Sequence, residues 1–353
     1  MAGAVALLMA VALLLAAALL ASPAAAAQPD AAGHRSSGPV LVGKDRWAPS
    51  EVLGRSAVFA AVSAGYDHSC GLLIGGQITC WGDTTDGKLD APEGSFIAVS
   101  ANFGHTCGVR TTGEIDCWGS DRNGELDAPE GSFTAVTAGY SHSCGVRASG
   151  AIACWGDNEH GQLDAPPGAF TTVTAGTFFS CGLRTHGEIA CWGAARDGVL
   201  DVPPGSSTAM SAGSDHSCGI RANGQILCWG DDEHRQLDAP TGTFTAVSAG
   251  FDHSCGLLIG GKIDCWGSNR NGELDAPEGS FSAVSVGFEH SCGLRTNGQI
   301  LCWGGNAAGQ LEAPDGTFSA VSVGTFFSCG LRASGQVLCW GYWQSDPRIG
   351  AWS

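Results

Sequence analysis

A period of 37 residues dominates this sequence. Cysteines recur at that interval in two series, and eight copies of one unit account for all 16 Cys of the 353-residue chain. Fixed self-similarity at such a period is the signature of a repeat architecture, whatever domain count the length would favour. We therefore interpret residues 55–345 as one repeat domain. The two series are Cys70, Cys107, Cys144, Cys181, Cys218, Cys255, Cys292 and Cys329, and Cys80, Cys117, Cys154, Cys191, Cys228, Cys265, Cys302 and Cys339.

The composition of each unit predicts short β-strands. A unit carries four or more Gly and a Pro, and its apolar residues come in short runs without the 3.6-residue spacing of a helix. Three strands fit, at Ala-Val-Ser-Ala, at Ser-Cys-Gly-Leu-Arg and at Gln-Ile-Xaa-Cys-Trp. A Gly before the third strand supplies the left-handed residue of a three-residue hairpin loop. It stands at Gly76, Gly113, Gly150, Gly187, Gly224, Gly261, Gly298 and Gly335.

An odd number of strands per unit leaves the chain at the far end of the sheet. The long connection around Leu-Asp-Ala-Pro must then return it before the next unit begins. Radial repetition of such small sheets gives a β-propeller, in which neighbouring sheets cover one another's faces. We predict an all-β propeller of eight three-stranded blades with small-residue first strands near the axis; a linear β-solenoid is the alternative.

The two cysteines of each unit lie at equal distances from the hairpin turn. Antiparallel pairing therefore places them opposite one another, within the distance that a disulfide requires. We predict eight disulfides, one in each blade. Zinc ligation, free buried thiols and bonds between neighbouring blades remain as alternatives.

The N-terminus predicts export. The first 29 residues carry no charged side chain, and Ala4–Leu20 is a nearly continuous apolar run followed by small residues. This pattern is typical of a signal peptide over residues 1–27, and an uncleaved membrane anchor is the alternative. We interpret residues 28–54 as a flexible lead-in and residues 346–353 as a C-terminal tail. Within the lead-in, residues 39–43 could add a strand beside the last unit. The predicted location is secreted or extracytoplasmic.

The charge balance restricts the partners. The chain has 17 basic and 34 acidic residues and a net charge of −17. Such a surplus repels a polyanion, so nucleic acid is excluded as a partner. A content of 44% hydrophobic residues is too high for a disordered chain. The expected partner is a protein, basic or amphipathic, and the expected state is a monomer.

Repetition converts one residue per unit into a ring of residues. An aromatic residue stands between the first and second strands of seven copies, and acidic residues follow it in several. Either each aromatic ring packs under its own loop, or the set forms a contact surface, since Tyr and Phe anchor many protein interfaces. The candidate contact residues are Tyr66, Phe103, Tyr140, Phe178, Phe251, Phe288 and Phe326, with Asp67, Asp215 and Asp252.

Neither catalysis nor metal binding finds support in the repeats. Six copies carry His just before Ser/Thr-Cys, but side chains spread around a wide ring do not converge on one ion, so hydrogen bonding within the loops is the better account. A catalytic site requires one copy to carry groups that the others lack. Copies four and eight are the exceptions, with Phe179 and Phe327 in place of His, which removes chemistry. We expect no catalytic residue, no metal and no cofactor.

The repeat resembles that of the regulator of chromosome condensation family. The resemblance lies in Gly-Tyr-Asp-His-Ser-Cys-Gly-Leu at residues 65–72 and in Ile-Xaa-Cys-Trp-Gly followed by Gly-Gln-Leu. The 37-residue length and the Pro-Xaa-Gly return loop are most similar to a secreted bacterial branch that includes a β-lactamase inhibitory protein. The resemblance implies a propeller, usually of seven blades, so seven is the alternative to eight. The Cys pairs stand where the family commonly has aliphatic residues.

Function follows less directly than fold. The family includes an exchange factor, protein inhibitors and adaptors, so the resemblance alone does not fix an activity. We expect a secreted, non-catalytic propeller that binds a protein through an aromatic and acidic loop face. By resemblance, the inhibitor branch uses that face as well. Binding of carbohydrate or cell wall is the alternative, and an enzyme of the central channel is a third possibility.

Overall fold

The computed structural model of the chain describes residues 46–47 and 57–341. The predicted signal peptide, the strand at residues 39–43, the tail and most of the lead-in lie outside the described residues. Within them the chain forms eight antiparallel sheets in succession, one for each 37-residue unit, and this confirms the all-β propeller of eight rather than seven blades. No helix in the described part has the length and hydropathy of a membrane span.

Each blade contains a six-residue first strand, a six-residue second strand and a five-residue third strand. A two-residue strand, β1 (Arg46–Trp47), precedes them, and a 3₁₀ turn occupies Thr85–Gly87. The first strands are β2 (Phe59–Ala64), β5 (Phe96–Ala101), β8 (Phe133–Ala138), β11 (Phe170–Ala175), β14 (Ser207–Ala212), β17 (Phe244–Ala249), β20 (Phe281–Val286) and β23 (Phe318–Val323). The second strands are β3 (His68–Leu73), β6 (His105–Arg110), β9 (His142–Arg147), β12 (Phe179–Arg184), β15 (His216–Arg221), β18 (His253–Leu258), β21 (His290–Arg295) and β24 (Phe327–Arg332). The third strands are β4 (Ile78–Gly82), β7 (Ile115–Gly119), β10 (Ile152–Gly156), β13 (Ile189–Gly193), β16 (Ile226–Gly230), β19 (Ile263–Gly267), β22 (Ile300–Gly304) and β25 (Val337–Gly341).

The hairpin between the second and third strands has the predicted geometry. In the third blade Arg147 N–H donates to the carbonyl of Ala151, and Gly150 N–H donates to the carbonyl of Arg147. The predicted turn glycines have φ between 82° and 92° in all eight blades, the left-handed region that favours Gly.

The cysteines pair within each blade. Cys144 lies opposite Cys154 in the register of β9 and β10, with 4.0 Å between the Cα atoms, and the other seven blades repeat this pairing. Eight disulfides result, and no free cysteine remains among the described residues. The prediction of one disulfide in each blade is therefore confirmed.

The first strands surround the axis. Hydroxyl groups on one first strand accept hydrogen bonds from a backbone N–H of the first strand of the next blade, as Ser63 Oγ does from Ala101 N at 3.0 Å. Small side chains allow the strands this close approach, as the Ala-Val-Ser-Ala pattern predicted. The same bond joins the last blade to the first, because Ala64 N–H donates to Ser322 Oγ at 3.0 Å. The ring therefore closes with the contacts that it uses at its other interfaces.

The apolar core lies between neighbouring blades. In one such cluster Cys255, Leu257 and Ile263 of the sixth blade pack against Phe281 and Trp303 of the seventh. The cluster between blades eight and one has the same composition, with Phe59 and Trp81 against Leu331, Val337 and the last disulfide. Each sheet is covered on both faces because the ring closes, so every blade depends on its two neighbours for burial.

Blade eight has a fourth strand on its outer edge. β1 pairs antiparallel with β25, Arg46 opposite Trp340 and Trp47 opposite Cys339. A segment that precedes the first repeat thus pairs with the last strand of the last repeat, and it does so at residues 46–47.

Candidate functional site

The loops form two faces. The turn between the first and second strands and the start of the long loop after the third strand lie at one end of each blade, which we call the collar face. The hairpin between the second and third strands lies at the other end, the hairpin face. The sheet register fixes this division, because Ala64 pairs with Ser69 at one end and Phe59 with Leu73 at the other.

The seven aromatic residues between the first and second strands form one arc on the collar face, which we call the collar: Tyr66, Phe103, Tyr140, Phe178, Phe251, Phe288 and Phe326. Phe103 and Tyr140 stack with their ring centroids 4.1 Å apart, and Phe251 and Phe288 lie 4.3 Å apart. The other neighbouring pairs are separated by 4.7 to 6.1 Å. Rings of successive blades come this close only near the axis, so the collar surrounds the mouth of the central channel.

The collar rings are only partly buried. Tyr140 and Phe251 are each 38% exposed, and the other five are partly covered. Each ring packs against the ring of the next blade, so neither of the two sequence interpretations describes the packing completely. The arrangement leaves a continuous aromatic surface open to solvent on one face of the molecule.

The collar is open at the fifth blade, where Ser214 occupies the aromatic position. The backbone there follows the pattern of the other blades. Thr177 N–H donates to the carbonyl of Ser214, and Ser214 N–H donates to the carbonyl of Gly250 at 3.1 Å. The collar therefore lacks one aromatic ring between Phe178 and Phe251, and we call this gap the notch.

Asp67 is engaged within the chain. Its carboxylate accepts a hydrogen bond from Lys88 Nζ at 2.6 Å, and Lys88 also contacts Asp83 at 2.9 Å. Lys88 is only 5% exposed. Burial tends to lower the pKa of this ammonium, but the two carboxylates outweigh that effect and raise it. The sequence prediction placed Asp67 among the contact residues, and the structure gives its charge a partner within the first blade.

Asp215 also has an internal partner. Arg196 lies 3.1 Å from its carboxylate, and the guanidinium sits over the Phe178 ring, 4.5 Å from the centroid. Burial raises the pKa of Asp215 although Arg196 opposes the change. One end of the collar therefore already holds a cation between an aromatic ring and a carboxylate.

Asp252 lies beside Phe251 at the other end of the collar. Burial raises the pKa of its carboxyl, the nearby carboxylates Asp231 and Asp215 add to the rise, and His234 and Arg270 oppose it. Among the described residues, no cation lies within 4 Å of this carboxylate. Of the three predicted acids, Asp252 is thus the one whose charge stays open to a partner.

Several further acids on the collar face organise their own loops. Asp157 Oδ1 accepts the backbone N–H of Glu159 at 3.0 Å, and its Oδ2 accepts a hydrogen bond from Gln162 at 3.1 Å. Asp231 makes the corresponding bonds to Glu233 and Gln236. These carboxylates hold the loop after the third strand in place while keeping their negative charge on this face.

The six histidines bind the neighbouring blade. His142 Nε2 lies 2.8 Å from Ser180 Oγ of the next second strand, and His105 Nε2 lies 2.7 Å from Ser143 Oγ. The sequence predicts hydrogen bonds within the loops, but the partners lie across the blade interface. We call this set of contacts the histidine belt. Its members are His68, His105, His142, His216, His253 and His290.

The histidine belt is buried, and burial lowers the pKa of five of its six members. The ring of each member is at most 1% exposed. Desolvation lowers the pKa to about 4 for His105, His142, His216 and His253, and to about 3 for His290. Phe179 and Phe327 replace the belt at the interfaces between blades four and five and between blades eight and one. Within the described residues, no group of three or more His, Cys, Asp or Glu side chains is placed to hold a metal ion.

The hairpin face differs in character from the collar face. Its arginines lie over the Phe that begins the first strand, as Arg147 does over Phe133 at 4.7 Å. The same Arg147 donates to the carbonyl of Glu130 at 2.8 Å. These arginines therefore hold loops to the sheet. The apolar residues exposed near this end, Val58, Ile74, Ile97 and Ile259, belong to blades one, two and six.

Two residues of the collar face were missed by the sequence interpretation. Lys88 stands where the third and fifth copies have Gln162 and Gln236. Arg196 stands at a loop position that is also Arg in the second and sixth copies, Arg122 and Arg270. A comparison of the charge at equivalent positions would have found Lys88. The contact of Arg196 with the next blade depends on how two loops approach one another, which the repeat period does not show.

Comparison with known proteins agrees with this architecture. The model of the regulator of chromosome condensation (RCC1) repeat matches seven segments that together cover more than half of the chain: residues 59–88, 96–125, 133–162, 208–236, 244–273, 281–310 and 318–343. Among curated proteins, no match was found.

Solved structures share the fold. The ectodomain of the receptor kinase ACR4 from Arabidopsis thaliana is 26% identical, with a TM-score of 0.57 over 70% of this chain and 96% of that one. The ectodomain of the receptor kinase CR4 from Physcomitrella patens is also 26% identical, with a TM-score of 0.56 over 70% of this chain and 73% of that one. Prp20p from Saccharomyces cerevisiae, described for its binding to Gsp1p and histones, is 14% identical with a TM-score of 0.56 over 83% and 94%. The chain belongs to the regulator of chromosome condensation (RCC1) repeat family.

Proposed function

We propose that this protein is a secreted, non-catalytic propeller that binds another protein through its collar face. The observation that carries the proposal is the collar itself, a continuous, partly exposed arc of aromatic rings on one face. Large aromatic side chains are the commonest anchors of protein interfaces, and a monomer seldom exposes such a set without a use.

The charge of the face supports a basic or amphipathic partner. Asp157, Asp215, Asp231 and Asp252 all lie around the collar, and the chain as a whole carries a net charge of −17. Electrostatic complementarity of this kind raises association rates and selects against acidic partners. The structural relative Prp20p is described as binding proteins, Gsp1p and histones, which agrees with a binding role for the fold.

The disulfides support an extracytoplasmic location. Eight pairs in one chain are typical of an oxidising compartment and rare in a reducing one. The apolar N-terminal run adds the sequence pattern of a signal peptide.

Affinity capture tests the proposal. The mature chain, residues 28–353, is immobilised and exposed to the secreted proteins of the source organism, with recovered proteins identified by mass spectrometry. A variant with Tyr66, Tyr140 and Phe251 all changed to Ala should lose the partner, because it removes three collar rings. The matched control changes Ile74, Ile97 and Ile259 to Ala, which removes similarly exposed apolar side chains from the hairpin side.

Direct measurement then decides between outcomes. The recovered partner, purified, should bind the control variant as it binds the wild type and should bind the collar variant at least tenfold more weakly, as expected for the loss of about 1.4 kcal/mol or more. Equal binding by the collar variant would show that the collar is not the contact surface. Retention of glycans but of no protein on an array would favour the carbohydrate alternative instead.

A further inference from the structure

The notch differs from the rest of the collar in shape. Seven blades present an aromatic ring, and the fifth presents Ser214 on a backbone that keeps the hydrogen bonds of its neighbours. The loop has not moved away, so what is missing is the volume of one aromatic side chain. A recess of that size, with Phe178 on one side and Phe251 on the other, can receive one side chain from outside.

The chemistry of the first wall shows what such a recess holds. Arg196 places its guanidinium over Phe178 and pairs with Asp215. An aromatic face and a carboxylate at this spacing form a cation site, because the ring quadrupole and the negative charge both attract the guanidinium. The chain therefore supplies its own example of a cation bound at the edge of the collar.

The second wall offers the same groups without the cation. Phe251 is 38% exposed and Asp252 follows it directly in the chain. Among the described residues, the basic side chains that act electrostatically on Asp252 are His234 and Arg270, and these two contact one another. Burial and the neighbouring acids raise the pKa of Asp252, so a positive charge placed here would relieve an existing repulsion.

We propose that the notch receives an arginine or lysine side chain of a protein partner, packed against Phe251 and paired with Asp252. This inference rests on the proposed function, since it names the partner chemistry of the same face. The aromatic arc on either side of the notch fits apolar residues adjacent to the basic one, so the recognised segment carries a basic side chain flanked by apolar side chains.

Selection from a displayed library of random peptides tests the notch. The probe is the oxidised mature protein, and peptides retained by the wild type are sequenced and synthesised. Arg and Lys should be enriched among them, and replacing the basic residue of a selected peptide by its uncharged counterpart, citrulline for Arg, should weaken binding at least tenfold. That factor corresponds to the loss of one cation–π contact together with one charge pair.

Two variants act on the notch in different ways. Ser214→Tyr fills it with a residue that the first and third blades carry at the same position, and Asp252→Asn removes the charge while keeping the shape. Both should weaken the selected peptides at least tenfold. The matched control, Asp315→Asn, removes one exposed carboxylate from the hairpin face and should leave binding unchanged.

The outcomes separate the notch from the collar. The notch proposal is contradicted if the selected peptides bind the Ser214→Tyr or Asp252→Asn variant with the same affinity as the wild type. It is also contradicted if the selected peptides contain no basic residues. If those same peptides are lost in a Tyr66→Ala/Tyr140→Ala variant, the collar remains the contact surface and only the notch fails. If they bind that variant too, the proposed function fails with it.

Discussion

The histidine belt makes the molecule sensitive to acid at the level of single residues. Five of its rings are buried with lowered pKa values in the folded chain, those of His105, His142, His216, His253 and His290, while an unfolded histidine titrates near its ordinary pKa of about 6.5. The unfolded state therefore binds more protons between pH 6.5 and pH 4, so the free energy of unfolding falls as the pH falls through that window. The Nδ1 atoms of His142, His216, His253 and His290 are buried without a hydrogen-bond partner among the described residues, so a second ring proton would find no acceptor there.

His142→Phe tests this effect, because Phe179 and Phe327 already occupy the equivalent position. At pH 7 the variant should lose about 1 kcal/mol with the bond to Ser180. Between pH 6.5 and pH 4 its unfolding free energy should fall less steeply than that of the wild type, by about 1.4 kcal/mol per pH unit at most. Denaturant unfolding at several pH values measures both quantities, and parallel profiles for the two proteins would contradict the role given to His142.

Lys88 neutralises part of the negative charge that the first blade presents on the collar face. Lys88→Gln places there the residue that the third and fifth blades use, and Gln162 shows that this side chain still binds the carboxylate of its loop. We expect a loss of stability of about 1 to 3 kcal/mol, because a buried ammonium with two carboxylate partners is removed, together with tighter binding of a basic partner because Asp67 is released. Thermal unfolding and the affinity for that partner measure the two effects. Weaker binding by a correctly folded variant would show that Lys88 itself is part of the contact.

At the scale of the element, a glycine in each second strand sets how closely the blades pack. A Cβ added to Gly145 would lie 2.7 Å from Phe133 Cδ1 of the same blade and 3.0 Å from Ile115 Cδ1 of the preceding blade. Both are core side chains held by their neighbours, so little relaxation is possible. A glycine at this position therefore lets the second strand lie close to the apolar side chains that separate it from the preceding blade.

Gly145→Ala should destabilise the propeller by about 1 to 3 kcal/mol, the usual result of overpacking a filled core. The control is Gly260→Ala, whose added methyl would meet no atom within 4 Å and should leave stability nearly unchanged. Denaturant midpoints of the two variants give the comparison. Equal midpoints would mean that the blades can separate enough to admit the methyl group.

Local elements were the part of the fold most accessible from sequence. Each of these elements depends on residues within one unit: the three strands, the turn glycines such as Gly150, and the Cys144–Cys154 pair. Because the unit is repeated eight times, its pattern can be recognised in eight copies. The partners of His142 and Arg196 lie in the next blade. Their contacts depend on the angle between blades, which no single unit encodes, and this is why the histidine belt and the pairing of Arg196 with Asp215 were not predicted.

At the scale of the whole molecule, the ring closes through whole blades. Phe59 N–H donates to the carbonyl of Gly335 at 2.7 Å across the closing interface. The equivalent bond between blades one and two joins Phe96 N–H to the carbonyl of Gly76, also at 2.7 Å. Closure adds β1 at the edge of blade eight without replacing one of its strands. The interface between the chain ends is thus equivalent to the others.

A circular permutant tests this equivalence. A linker joins the two ends of the propeller, and the new termini are placed at Pro204 and Gly205, in an exposed loop between blades four and five. We expect the permutant to form all eight disulfides and to unfold within a few degrees of the parent. As a control, new termini at Gly145 interrupt a buried strand and should prevent folding. Failure of the loop permutant would show that closure depends on chain order.

The two interfaces without histidine lie on opposite sides of an eight-bladed ring, and this position has a consequence for an acidic environment. Phe179 joins blade four to blade five, and Phe327 joins blade eight to blade one. Protonation weakens the interfaces of the histidine belt and leaves these two unchanged. Two blade pairs would then outlast the rest, and one of them contains both ends of the propeller. Acid would then loosen the blades between these two pairs, while blades four and five stayed together and the two ends of the propeller stayed joined.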